Sequence, residues 1–245
     1  MLYANGCSFT YGTGLAHKDR AWPFVLAEKM NITGVETEAQ RGVSNNYIVR
    51  NTITTVSDKL VTGEAVDFVA IGMTAPNRRE HFIEKKNLLV HNIPSHEYHG
   101  NINLDEQSNR DLDLFNQLYM KHFWSPVYDF HSYLINILTL QNFFTANNIP
   151  YLIFNSLNLT PNLLEPTKFT ELCEQSDMVS VYKQLDMSKI YEDQTFFTYM
   201  YDNKKFFPIE GDERYMHPDE EAHAEWAEIL PVSYTHLRAH ETIQD

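Results

Sequence analysis

Cysteine is nearly absent, with Cys7 and Cys173 the only two in 245 residues. Two thiols cannot build a disulfide framework and fit a reducing compartment, with a single bridge left open. Long hydrophobic runs are missing too. No stretch approaches the ~18–20 apolar residues of a membrane span, and no basic segment with an apolar one behind it precedes Gly6 as a secretory leader would. The chain reads as a cytoplasmic protein. Basic residues are also scarce: 19 Lys and Arg stand against 33 Asp and Glu, a formal net charge of −14. Duplex binding depends on many cations neutralising phosphates, so nucleic acid is not an expected partner. No repeat or low-complexity tract marks a solenoid or a linker.

What is present suffices for one large core. The sequence is 43% hydrophobic and 13% aromatic, which over this length fits one domain better than two. Helix and strand signals alternate. Met1 to Ala4 reads as a short strand, and "AWPFVLAEKMN" as a helix with Pro23 in its first turn and Asn31 as its stop. A short strand is expected near Val35 to Ala39. Ser44 or Asn45 can cap the next helix, in which Ile48, Val49, Ile53, Val56 and Leu60 keep a helical period. "AVDFVAIG" and "PYLIFNS" read as central strands, and Phe130 to Phe144 trace a helix ending near Asn147. Such alternation predicts an α/β fold: a parallel sheet with helices on both faces. Two regions, about 76–126 and 157–202, interrupt it as elaborations over the carboxyl edge of the sheet, the first with a helix around Asp111 to Trp124. Long elaborations of this kind either shape a binding site or merely cover an edge.

The tail is set apart. "VSYTHLRAHET" (Val232 to Thr242) resembles one reading frame of a transposase sequencing adapter, as in an assembly from an uncultured sample. The expected domain is therefore 1–231, with 232–245 excluded from fold reasoning.

Four short stretches fall after successive strands or just before a helix: "GCSFT", "RGVSNN", "IGMTAPNR" and "MHPDEEAH". In this order they resemble the SGNH (GDSL-type) hydrolase family, in particular divergent members from phages and uncultured bacteria. The resemblance spans about Met1 to Leu230, though only these motifs carry it. It implies a flavodoxin-like three-layer α/β/α fold with a mostly parallel sheet. By the family pattern the nucleophile falls on Ser8, an oxyanion-facing glycine on Gly42 and the general base on His217, followed by Pro218. The third block normally reads Gly-x-Asn-Asp, and here Thr74 takes the place of the asparagine. Asn45 and Asn77 are further candidates for the oxyanion and substrate site, and Asn77 and Arg78 could substitute for Thr74 as polar donors. The family usually places aspartate three residues before the histidine, a position held here by Arg214, which leaves Asp212 as the nearest upstream candidate for the acid.

The chemistry of these residue types supports the same reading. Neutral serine is a poor nucleophile and needs a base, and histidine suits that task near neutral pH. With a strand order 2-1-3-4, the ends of the first three strands are neighbours, and Ser8, Gly42 and Thr74 converge on one volume where fixed dipoles can face a developing oxyanion. Blander roles remain open for each. Ser8 could be a turn serine, Gly42 a tight turn, Thr74 a strand-end hydroxyl, Asn45 a helix cap, and Asn77 and Arg78 surface residues. Cys7 could itself be a nucleophile but reads as a small buried residue.

The expected function is a serine esterase or deacetylase acting on a small ester, such as an O-acyl group on a carbohydrate, with no cofactor and no metal. Two other readings compete. One is a non-catalytic carbohydrate- or acyl-binding module on the same scaffold, favoured by the missing Asp-x-x-His. The other is a metal-dependent hydrolase using His91, His96 and His99 in "HNIPSHEYH", against which no Asp or Cys ligand stands at a recognised spacing.

Overall fold

The computed structural model describes residues 1–83, 88–92, 106–159, 178–207 and 216–241. Three strands form its centre: β1 (Leu2–Gly6), β3 (Phe68–Met73) and β6 (Tyr151–Asn155), each buried along its whole length. A strand covered on both faces must be a continuous apolar run, and "FVAIGM" and "YLIFN" have that composition. With β2 (Val35–Thr37) and β7 (Ile190–Tyr191) they make a five-stranded parallel sheet in the order β2-β1-β3-β6-β7. In register, Gly6 pairs with Gly72 and Met73 with Asn155, so the carboxyl ends of β1, β3 and β6 lie side by side.

Helices cover both faces. Alternation along β6 sends Phe154 to one side, where it meets Trp22 of α2 (Trp22–Lys29) and Trp226 of α8 (Glu220–Glu241), with ring centroids 5.2 and 5.5 Å away. Asn155 points to the other side and accepts a hydrogen bond from Tyr133 of α5 (Pro126–Ala146), which packs on α3 (Asn45–Thr62). The result is the expected three-layer α/β/α arrangement. Its helix boundaries follow local chemistry. Ser44 Oγ accepts the Tyr47 N–H at 3.2 Å to open α3, and Ser125 Oγ accepts the Tyr128 N–H at 3.2 Å to open α5. Asp219 Oδ1 accepts the Ala222 N–H at 2.9 Å to open α8. Asn31 stops α2 in the left-handed region, with φ 55°.

The first elaboration holds more than the one expected helix. Besides α4 (Glu106–His122) it contains an antiparallel pair, β4 (Arg79–Ile83) with β5 (Leu88–Asn92). Its strand character depends on α4 for cover: the His81 ring lies edge-on to Phe115 of α4, centroids 4.9 Å apart. The second elaboration carries two short helices, α6 (Val179–Tyr182) and α7 (Phe196–Asp202), beside β7, whose two residues are too few to show a period. Leu60, expected on the apolar stripe of α3, is 38% exposed, because the stripe drifts off the sheet in the last turn. The backbone of α8 continues through the adapter-like segment to Glu241. Among the described residues no helix is long and apolar enough to cross a membrane.

Candidate active site

Ser8 opens α1 (Ser8–Tyr11), a single turn that follows directly on β1. Cys7, fully buried and extended, makes the corner between the two. Gly6 is required there by close approach: a Cβ at this position would lie 2.1 Å from Thr10 Oγ1 and 2.8 Å from the Gly72 carbonyl oxygen. The turn is closed by N–H groups of Gly12 and Thr13 donated to the Ser8 carbonyl, the latter at 3.0 Å. The Ser8 hydroxyl forms no hydrogen bond with any described residue, and the residue is only 5% exposed. Asn5, a polar residue closing an otherwise apolar strand, braces the corner. Its Oδ1 accepts the Gly6 N–H at 2.8 Å, and its Nδ2 donates to Thr52 Oγ1 and the Ile48 carbonyl of α3 at 3.0 and 3.2 Å. Sequence reasoning missed Asn5, for which that one polar position was the only signal.

The loop from β2 to α3 lies against the same corner. The Gln40 N–H donates to the Gly6 carbonyl at 3.2 Å, and the Arg41 guanidinium sits 5.5 Å from the centroid of the Tyr11 ring. Gly42 follows at φ 73°, a conformation that glycine adopts without penalty. Gly42 and Ser8 are thus joined through Gln40 and Gly6.

From β3 comes Thr74, held by both ends of one side chain. Asn45 Oδ1 accepts the Thr74 N–H at 2.8 Å while Asn45 Nδ2 donates to the Thr74 carbonyl at 2.9 Å. Asn45 is therefore neither the cap of α3, which is Ser44, nor a free amide. The Thr74 hydroxyl is fully enclosed and unpartnered, as are those of Thr10 and Ser156. The last two flank Gly72, where an added Cβ would lie 2.9 Å from Thr10 Oγ1 and 2.5 Å from Ser156 Oγ. Ser156 closes the "PYLIFNS" run and is a further hydroxyl at the strand ends, its N–H donated to the Met73 carbonyl at 2.8 Å. Asn77 is buried in the turn that follows Thr74.

The two histidines of "MHPDEEAH" differ in kind. His217 precedes α8 on a backbone fixed by exchange with the segment after α7. Its carbonyl accepts the Phe207 N–H at 3.1 Å, and the Met216 N–H donates to the Phe207 carbonyl at 3.2 Å. The His217 ring is half-buried and packs on Phe9, the residue next to Ser8, with centroids 5.6 Å apart. His223, one turn inside α8, is fully buried, and its Nδ1 accepts the Trp22 N–H at 3.2 Å. Burial first, then the nearby charges of Lys18 and His217, push the His223 pKa down to about 3. It stays neutral and serves α2. The proposed acid Asp212 lies outside the described residues, as do Arg214, His96, His99 and Cys173. Among the described residues no group of three His, Cys, Asp or Glu side chains could hold a metal ion.

A model of a family of unknown function, DUF6071, matches residues 10–245. The chain belongs to the DUF6071 family. The match includes Gly42, Thr74 and His217, begins two residues after Ser8, and runs through the adapter-like tail. No curated protein sequence matches this DUF6071 chain. Solved structures similar to it include the esterase EstA from Pseudoalteromonas sp., at 12% identity and TM-score 0.49 over 96% of each chain. A lipase from a goat rumen metagenome is 14% identical, with TM-score 0.47 over 95% of this chain and 96% of that one. A carbohydrate esterase, whose active site is described as displaying divergent catalytic and non-catalytic binding functions, is 14% identical, with TM-score 0.45 over 97% of this chain and 67% of that one.

Proposed function

We propose that this protein is a serine hydrolase of small esters, removing an O-acyl group from a carbohydrate or a similar alcohol. One observation carries the reading. A serine hydroxyl with no hydrogen bond among the described residues stands at the carboxyl end of β1, and the ring of His217 packs on its neighbour Phe9 at 5.6 Å. In the reaction, Ser8 Oγ attacks the acyl carbon as His217 takes its proton, and the carbonyl oxygen becomes an oxyanion. The Gly42 N–H and the Thr74 hydroxyl are the donors assigned to that oxyanion, with Asn77 as a third; each such dipole contributes on the order of 10²–10³ in rate when fixed in advance. Collapse expels the alcohol, which receives the proton from His217 and leaves an acyl-serine. Water then attacks the acyl-serine with His217 again as base, releasing the acid and restoring Ser8. Asn45 acts through Thr74 by holding its backbone, and Asp212 is assigned the orientation of His217.

A non-catalytic binding module is the second reading. It is favoured by the absence of a hydrogen bond from Ser8 to His217 and by arginine at position 214. Reaction with a serine-directed fluorophosphonate, together with turnover of p-nitrophenyl acetate, separates the two. The hydrolase reading expects both in the wild type and neither in Ser8→Ala; a wild type inert to both overturns it.

A further inference from the structure

A guanidinium withdrawn from water carries a large penalty unless acceptors or a counter-charge surround it. Arg79 is supplied at Nη2, though its Nε has no acceptor among the described residues. Its Nη2 is bonded to Asp129 and donates to the Tyr119 hydroxyl at 2.7 Å, and its guanidinium lies 5.4 and 5.8 Å from the ring centroids of Tyr119 and Tyr128. Arg78, the residue before it, has nothing comparable. The side chain is half-buried, and among the described residues its enclosed Nε and Nη1 have no acceptor and no carboxylate pairs with it.

The position of Arg78 in the fold ties this unsatisfied charge to the strand ends. Arg78 closes the turn leaving β3, its N–H donated to the Ala75 carbonyl at 3.2 Å, and lies four residues after Thr74. The strand β4 begins at Arg79, and neighbouring side chains on an extended strand point to opposite faces. Arg79 and His81 face α4, through Tyr119 and Phe115. Glu80 faces α3, where it accepts from Arg50 at 2.9 Å. Arg78 precedes β4, and the alternation of that strand carried back by one residue assigns it to the side of Glu80, toward α3, whose first turn holds Asn45. That turn contains no acidic residue to neutralise it.

We propose that Arg78 binds an anionic group, a carboxylate or a phosphate, borne by the substrate, so that acidic esters are preferred over neutral ones. The planar fork of a guanidinium matches two oxygens of such a group at once. Calling the bound anion a substrate group rests on the ester-hydrolase reading above; the binding of an anion by Arg78 does not.

Calorimetric titration of the Ser8→Ala protein, which cannot turn over, tests this with three probes: D-glucuronate, glucose 6-phosphate and glucose. A charged hydrogen-bonded pair predicts at least about tenfold tighter binding of one or both anions than of glucose. Preference for glucuronate identifies a carboxylate site, and preference for glucose 6-phosphate a phosphate site. Adding Arg78→Met reduces the anion to the level of glucose, while Arg78→Lys falls between. Without ligand, Arg78→Met melts no lower than its parent, because it removes two enclosed N–H-bearing nitrogens that have no acceptor among the described residues. Equal affinity for all three probes, a preference that survives Arg78→Met, or a lowered melting temperature in that variant overturns the proposal. Arg78-dependent anion binding in a wild type inert to fluorophosphonate and ester would sink the hydrolase reading and leave the anion site standing.

Discussion

The N–H of Trp22, in the first turn of α2, is donated to Nδ1 of His223 at 3.2 Å, a bond spanning 201 positions of the chain. This bond fixes the His223 proton on Nε2 and commits the ring to holding α2 against α8, so His223 has no free basic nitrogen to offer Ser8. His217, whose ring packs on Phe9, is the base in the proposed mechanism.

Accordingly, His217→Ala is expected to lower ester turnover by roughly 10²–10⁴ with little change in stability. His223→Ala is expected to destabilise the protein by about 2–4 kcal/mol, from the lost helix contact and the cavity left behind. Turnover and urea unfolding of the two variants check this. A stable but inactive His223→Ala protein would move the base onto the helix.

The same bond predicts a pH dependence. Burial pushes the His223 pKa from its ordinary value of 6.5 down to about 3 in the folded protein. Between those values the unfolded chain binds the extra proton, so the contribution is complete above about pH 6.5 and is lost as pH falls toward 3. The slope is about 1.4 kcal/mol per pH unit for this one group. Urea unfolding from pH 4 to 7 should show that slope in the wild type, reduced by about one proton in His223→Gln.

Asn45→Ala removes both hydrogen bonds to the Thr74 backbone and should cost about 1–3 kcal/mol, since it leaves a buried N–H and carbonyl unpaired. In Asn45→Asp one oxygen still accepts the Thr74 N–H, but the other faces the Thr74 carbonyl as a second acceptor. It should therefore do no better than alanine. A positioning role requires kcat to fall more than KM rises in both variants, and unchanged kcat in folded protein would confine Asn45 to stability.

Gly42→Ala places a Cβ on a backbone at φ 73°, at a strain of about 1–2 kcal/mol. Relaxation of that strain turns the N–H assigned to the oxyanion. We expect kcat to drop by tenfold or more with KM little altered, the pattern of an interaction made in the transition state. A folded variant with wild-type kcat would remove Gly42 from the site.

How the sequence encodes each feature decides how much of it could be read. The strands β1, β3 and β6, the helices α3, α5 and α8 and the caps Ser44 and Asp219 were legible, because periodic burial and capping act over one or two turns of chain. The positions of Ser8, Gly42, Thr74 and His217 were legible as strand-end and pre-helix residues. The pair β4 and β5 was not, since its strand character depends on α4 for cover, nor was β7, which is two residues long. His217 and His223 differ locally as a pre-helix and an in-helix residue, but the commitment of the His223 ring to the N–H of Trp22, some 200 residues away, could not be read. The same holds for Asn45, whose partner lies 29 residues on, and for Arg78 and Arg79, adjacent in sequence and alike in chemistry. Folding gives the Nη2 of Arg79 an acid and a hydroxyl and, among the described residues, encloses the Nε and Nη1 of Arg78 without an acceptor, because consecutive side chains enter different environments. Local chemistry determined which elements form; tertiary contact decided which polar groups are satisfied and which remain free to act.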